Sequence, residues 1–210
     1  MKEKLHKLLP AIFIALLAVS RIPGLLPLDF SVIYAFVFCA GVYFRGAMGW
    51  WLPLVTLLAT DVALDLFYYY PRFHLSTLHF FLNLLPNYGV YVAIIWFGRR
   101  LGPRASFLKL FGGGLLSAIV FYLVTNTLSW LQLGYAKTLA GWVQALWTGL
   151  PGLPPTWQFF FNALLSAGLF TALFVAAEKL TSAAESPADK TAGAREPAAE
   201  PAAEPEEAGA

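Results

Sequence analysis

Eight polar side chains interrupt apolar stretches in which polarity is costly: Asp61, Asp65, His79, Asn83, Asn87, Asn126, Gln158 and Asn162. A polar group placed in hydrocarbon faces a protein interior, a partner or a water-filled cavity. Several such groups at one depth predict a binding pocket. Asp61 and Asp65 are four residues apart, so both carboxylates share one helical face. They could bind a cation or an amine, carry protons, or pair with Arg21; equally, they could form a network that only locks helices together. His79, Asn83 and Asn87 repeat the same spacing and make a polar stripe opposite Phe80, Phe81, Leu84 and Leu85. Pro86 within that stripe frees a backbone carbonyl one turn earlier, which bends the helix or supplies an acceptor.

Asn126 and Trp130 are again four apart and could hold a planar or amphipathic ligand between an amide and a ring. The alternative is an interfacial aromatic belt with a local cap. Gln158 and Asn162 share a face just after Pro154-Pro155-Thr156. Catalytic signatures are missing: no His-Glu-x-x-His helix, no Gly-x-Ser-x-Gly elbow and no phosphate loop, since Gly112-Gly113-Gly114 is not followed by Lys-Ser/Thr. A non-enzyme without cofactor or metal is expected, and nothing suggests nucleic acid as a partner. Cys39, the single cysteine, has no intrachain disulfide partner.

The elements that must position these residues are set by composition. With 59% hydrophobic and only 12% charged residues, the chain departs from the average soluble domain. An all-α, polytopic membrane protein is predicted. A hydrocarbon core of about 30 Å takes roughly 20 helical residues, and six runs approach that length, at 8–22, 30–44, 50–70, 78–97, 107–131 and 156–178. The second is short and carries Gly41, so it is expected to be bent, tilted or partly buried by its neighbours. Residues 138–150, with Trp142 and Trp147, fit an interfacial or re-entrant helix able to form a lid.

The start of the chain imitates a signal peptide, but its apolar run continues into Arg21-Ile22-Pro23-Gly24, which reads as the end of a retained span. Lys2, Lys4, Lys7, Arg45, Arg99, Arg100, Arg104, Lys109 and Lys179 fall on one side under six spans, against Arg21, Arg72 and Lys137 on the other. The positive-inside rule then puts both termini in the cytoplasm and the polar constellation in the outer half of the bilayer. Seven of the twelve acidic residues follow Ser182. That Ala/Pro/Glu-rich segment, 182–210, is expected to be a disordered cytoplasmic tail after a transmembrane domain spanning 1–181.

Ala11 and Ala15, and Ala59 and Ala63, form small-x-x-x-small pairs on the first and third spans. Such pairs let another helix approach closely, most often within the same bundle.

The run Arg21 to Pro27, then Asp29-Phe30-Ser31-Val32, Ala35 and Gly41-Val42-Tyr43-Phe44, resembles a group of small bacterial inner-membrane proteins known only as a domain of unknown function. The likeness continues through Phe121, Thr125-Asn126, Trp130, Tyr135, Thr138, Gly141 and Pro151, and covers about residues 10–178. That group is similar in architecture to the S components of energy-coupling-factor vitamin transporters, which capture ligand in an outward-facing pocket of a six-helix bundle. The resemblance implies that Ala11, Ala15, Ala59 and Ala63 dock a transmembrane coupling subunit served by ATPases. Two departures from the group stand out: Phe161-Asn162 replaces a Gly-Asp pair, and Asp29 stands where the group carries Asn.

The expected function is capture of a small, vitamin-like or cationic solute for uptake with a separate ATP-driven module. Asp61, Asp65, Asn83, Asn87, Asn126, Trp130 and Asn162 are the candidate solute-binding residues. The alternative is a membrane scaffold or assembly factor without transport activity; an intramembrane enzyme using Asp61 and Asp65 ranks below both.

Overall fold

A short helix with no charged residue anywhere on its surface organises the chain. In the computed structural model, which describes residues 2–44, 46–73 and 77–192, this helix is α2 (Ile33–Tyr43), and every residue from Tyr34 to Val42 is buried. A helix that is apolar all round belongs in an interior. It is enclosed by α1 (Lys2–Ser20), α3 (Met48–Leu64), α5 (Thr77–Leu101), α6 (Phe107–Gln132) and α8 (Thr156–Ala192). Phe13 and Leu17 of α1, Leu57 of α3, Ile94 and Ile95 of α5, Leu110 of α6 and Phe174 of α8 close around its Phe36, Val37 and Phe38. Eleven residues rise only about 16 Å. The second predicted span is thus shorter than a hydrocarbon core is thick, and it forms the centre of the bundle.

The described residues form helices and no strand. Three segments are long and apolar enough to cross a membrane, Met48–Tyr68, Phe107–Gln132 and Thr156–Leu180, while Ala11–Ser20 and α2 are shorter apolar helices. Thus six crossings are not reached by length and hydropathy, although α5 runs unbroken through the predicted fourth span and through Pro86. The outward faces are apolar. Leu165, Leu169 and Leu173 on α8, Leu116, Val120 and Leu123 on α6, and Trp51, Val55 and Leu58 on α3 are all exposed. Stripes of this kind on long helices suit lipid rather than water.

The predicted third span is not one regular helix. After α3 the backbone widens to a π-helical turn at Asp65–Tyr69, with the Tyr70 N–H donating to the Asp65 carbonyl, and then tightens into α4 (Tyr70–Phe73). Pro71, which has no N–H to offer, sits within that transition. At the other end of the chain, α8 continues to Ala192, past the expected start of the tail; residues 193–210 lie outside the described residues.

Close approach between helices depends on glycine. A methyl group at Gly98 of α5 would stand 2.5 Å from the Phe38 carbonyl oxygen, and one at Gly41 of α2 would collide with the Ile95 carbonyl. The Gly112-Gly113-Gly114 run divides its work: Gly113 abuts the Phe38 ring, Gly114 abuts Thr171 of α8, and Gly112 meets nothing.

The two ends of the bundle differ in charge. At one end Arg99 donates to the Gly46 carbonyl at 3.1 Å and lies over Trp50, Arg100 lies over Trp96, and Lys179 donates to the Ala105 carbonyl at 3.0 Å. These contacts tie the α2–α3 turn, the α5–α6 turn and α8 together. The opposite end carries the α1–α2 loop and the segment between α6 and α8, which holds α7 (Leu139–Leu146).

Gly98→Ala should destabilise the protein by about 2 kcal/mol, because backbone at the α2–α5 crossing has nowhere to move. Gly112→Ala should be neutral or slightly stabilising. Thermal unfolding of the two variants in one detergent checks the contrast, and equal midpoints would contradict a backbone-tight crossing.

Candidate functional site

At the end of the bundle away from the arginines, α6 turns one face toward the start of α8. Phe121, Tyr122, Thr125, Asn126 and Ser129 follow each other along this face at helical spacing and line a cavity of about 380 Å³. Its other walls are Thr156 and Phe159 from α8, Tyr135 from the loop after α6, the turn 149–154, and Asp29 from the α1–α2 loop. The volume falls within the range of small-molecule sites, about 300–1,000 Å³.

Asp29 is placed by backbone and side chain together. Its φ of 60° lies in the left-handed region, where Asp is among the few non-glycine residues at ease. The Tyr34 hydroxyl, in the first turn of the buried helix α2, donates toward both carboxylate oxygens at 2.9 Å. Asp29 borders this cavity and a further one formed by its own loop, so the residue is exposed to cavities while its carboxyl is surrounded by protein. Burial pushes this carboxyl up from 3.8 to about 7, and the Tyr34 hydrogen bond offsets part of that rise. Tyr91 of α5 and Tyr122 of α6 also lie within electrostatic reach of Asp29.

Asn126 lines the cavity. Its Nδ2 donates to the Tyr122 carbonyl at 2.9 Å, which leaves Oδ1 as an acceptor. Thr125 donates to the Phe121 carbonyl at 2.9 Å. Asn87 lines a neighbouring cavity of about 270 Å³ with Pro86 and Gln132.

Asp61, Asn162 and Trp130 bond to other parts of the chain. Asp61 forms an ion pair with Arg21 and accepts from the Tyr88 hydroxyl at 3.0 Å, joining the end of α1 to α3 and α5. Asp65 opens the π-helical turn and lines neither of these cavities. The Asn162 Nδ2 donates to the Leu28 carbonyl at 2.8 Å and so fastens the loop that carries Asp29. Trp130 donates to the Ala136 carbonyl at 2.8 Å and lies under Lys137, rather than facing the cavity with Asn126. The side chains of His79 and Asn83 lie outside the described residues.

The lid expected at 138–150 divides in two. Helix α7 packs on α6, pinned by Trp142 donating to Thr127 at 2.9 Å and by the Tyr122 hydroxyl donating to the Leu146 carbonyl. Only the segment after it, beginning at Gly149, closes the cavity. Gly149 has φ 73°, and a methyl group there would come within 2.8 Å of the Thr156 hydroxyl. Sequence reasoning overlooked Asp29, Tyr122 and Phe159 as lining residues. An acid four residues ahead of the first residue of an uncharged helix was the one available signal, since a buried helix start draws its polar neighbours inward.

The chain belongs to a family of unknown function (DUF6580), whose model matches residues 1–189. No curated protein and no solved structure matches it.

Two outcomes follow from this geometry. Asp61→Ala strands the half-buried Arg21 guanidinium and should cost about 3 kcal/mol in unfolding free energy, measured by denaturation in micelles. Between pH 3.8 and about 7 the unfolded chain has released the Asp29 proton while the folded protein keeps it. Its contribution to stability is thus full below pH 3.8 and is lost as pH rises to about 7. Asp29→Asn should flatten this decline; an identical pH profile in the variant would show that the carboxyl ionises as in water.

Proposed function

We propose that this member of the family is the solute-capture subunit of a small-molecule uptake transporter in the bacterial inner membrane, working with a separate ATP-driven module. The observation that carries the reading is the cavity at one end of the bundle, walled by α6 and α8, closed by the 149–154 turn and furnished with Asp29 and Asn126. Such convergence of a few polar groups within an apolar wall is the usual makeup of a ligand site. Orientation is supported by charge. Arg99, Arg100 and Lys179 gather at the opposite end, and the positive-inside rule turns that end to the cytoplasm and the cavity outward. On this reading α1, α2 and α5 join the three longer apolar helices in an S-component-like arrangement of six, with both termini inside.

Coupling to a partner is supported by the small-residue faces. Ala11, Ala15, Ala59 and Ala63 are all exposed, and α3 buries only Gly49, Pro53 and Leu57 of its length. The sequence has no phosphate-binding loop, so ATP hydrolysis belongs to partner subunits.

Native mass spectrometry of gently purified protein tests the reading. A stoichiometric small molecule is expected on the wild type, held about tenfold less tightly after Asn126→Leu, a change of about 1.4 kcal/mol. Protein that is empty and bound to a non-transport membrane complex would favour the scaffold role instead.

A further inference from the structure

The cavity at Asp29 and the cavity at Asn87 share three lining residues, Phe121, Thr125 and Ser129. These stand four apart along α6, so they form one stripe, and the two cavities are adjoining lobes on either side of it. The lobes differ in chemistry. Asp29 is the one charged side chain among the described residues lining either lobe, whereas the second lobe presents the uncharged amides of Asn87 and Gln132. Arg21, which borders the neighbouring loop cavity, is engaged by Asp61.

A carboxylate taken out of bulk water is stabilised by a cation and destabilised by a second negative charge. An anionic or zwitterionic solute would bring a carboxylate or phosphate to lobes whose described walls hold no Lys or Arg. A cation meets Asp29 and the Asn126 Oδ1 acceptor beside the aromatic side chains of Phe121 and Tyr122 that line the same cavity. We infer, resting on the capture reading above, that the solute is an organic monocation with an uncharged polar far end: an ammonium or amidinium group at Asp29, and a hydrogen-bonding head at Asn87 and Gln132. Its body lies across the Phe121-Thr125-Ser129 stripe.

Three probes of one shape separate the possibilities: 4-(aminomethyl)benzamide, its uncharged N-acetyl derivative, and the anionic 4-carbamoylbenzoate. Binding of each to the full chain in nanodiscs is followed by calorimetry at about pH 8, where the Asp29 carboxyl is ionised. The ammonium probe should bind the wild type at least about tenfold more tightly than the other two. That preference should vanish in Asp29→Asn, which retains an acceptor for Tyr34, and persist in Asp29→Glu. The probe series on wild-type protein stands by itself if either variant fails to fold.

Preference for the neutral or anionic probe, or a preference indifferent to Asp29→Asn, would overturn the cation class while leaving solute capture intact. If no probe binds, the solute found by native mass spectrometry decides: a monocation supports the inference, and any other charge overturns it. Absence of both probe binding and copurified solute removes the capture reading and this inference together.

Discussion

The passage of α5 against α2 at backbone distance is the constraint on which the rest of the structure depends. Gly41 and Gly98 remove the side chains that would hold the helices apart, so carbonyl oxygens of each helix lie where a methyl group would otherwise be. Helix α2, uncharged and only eleven residues long, is thereby sealed among its neighbours. Gly113 and Gly114 extend the same device to α6, against Phe38 of α2 and Thr171 of α8. In lipid, where apolar faces gain nothing by leaving water, such intimate van der Waals contact is a principal source of helix association.

The site inherits its geometry from that buried helix. Tyr34 stands in the first turn of α2, and its hydroxyl meets the Asp29 carboxylate. The loop bearing Asp29 is fastened a second time by Asn162 from α8, and the Ser20 hydroxyl accepts from the Val32 N–H at 3.3 Å where the loop re-enters the bundle. Polar residues in the apolar segments thus have two different roles. Asp61, Trp130 and Asn162 spend their hydrogen bonds on other parts of the chain, and their partners are backbone carbonyls or Arg21 and Tyr88. Asn126 and Asn87 instead border empty volume.

The two ends of the bundle are held by different means. Arginine and lysine bonds to turn carbonyls brace the basic end, whereas at the cavity end α7 and the turn after it are held by bonds from Trp142, Tyr122 and Gln144. Few buried side chains accompany them, since α7 contributes only Gly141 and Ala145 to the interior. An element attached by a handful of hydrogen bonds opens at lower free energy than one embedded in a core.

Local composition and period determined much of this protein. Hydropathy predicted the helices and their approximate limits, the shortness of the second apolar run left bending, tilt or partial burial open, and Asn126 stood out because an amide in an apolar helix needs a cavity or a partner. Which of those two a given polar residue obtains depends on what stands across from it, and residues as distant as Arg21 and Asp61 or Leu28 and Asn162 meet only when the helices assemble. Asp29 shows the same limit from the other side: in the sequence it is an acid in a loop, and only Tyr34, Phe121 and Tyr122 packed around it make it the charge of a cavity. Sequence therefore determined which segments are helical and which residues are out of place in lipid. Tertiary structure decided which of those residues face each other and which face a space, because hydrogen bonds and ion pairs act over a few ångströms and distances of that size between helices are set by packing.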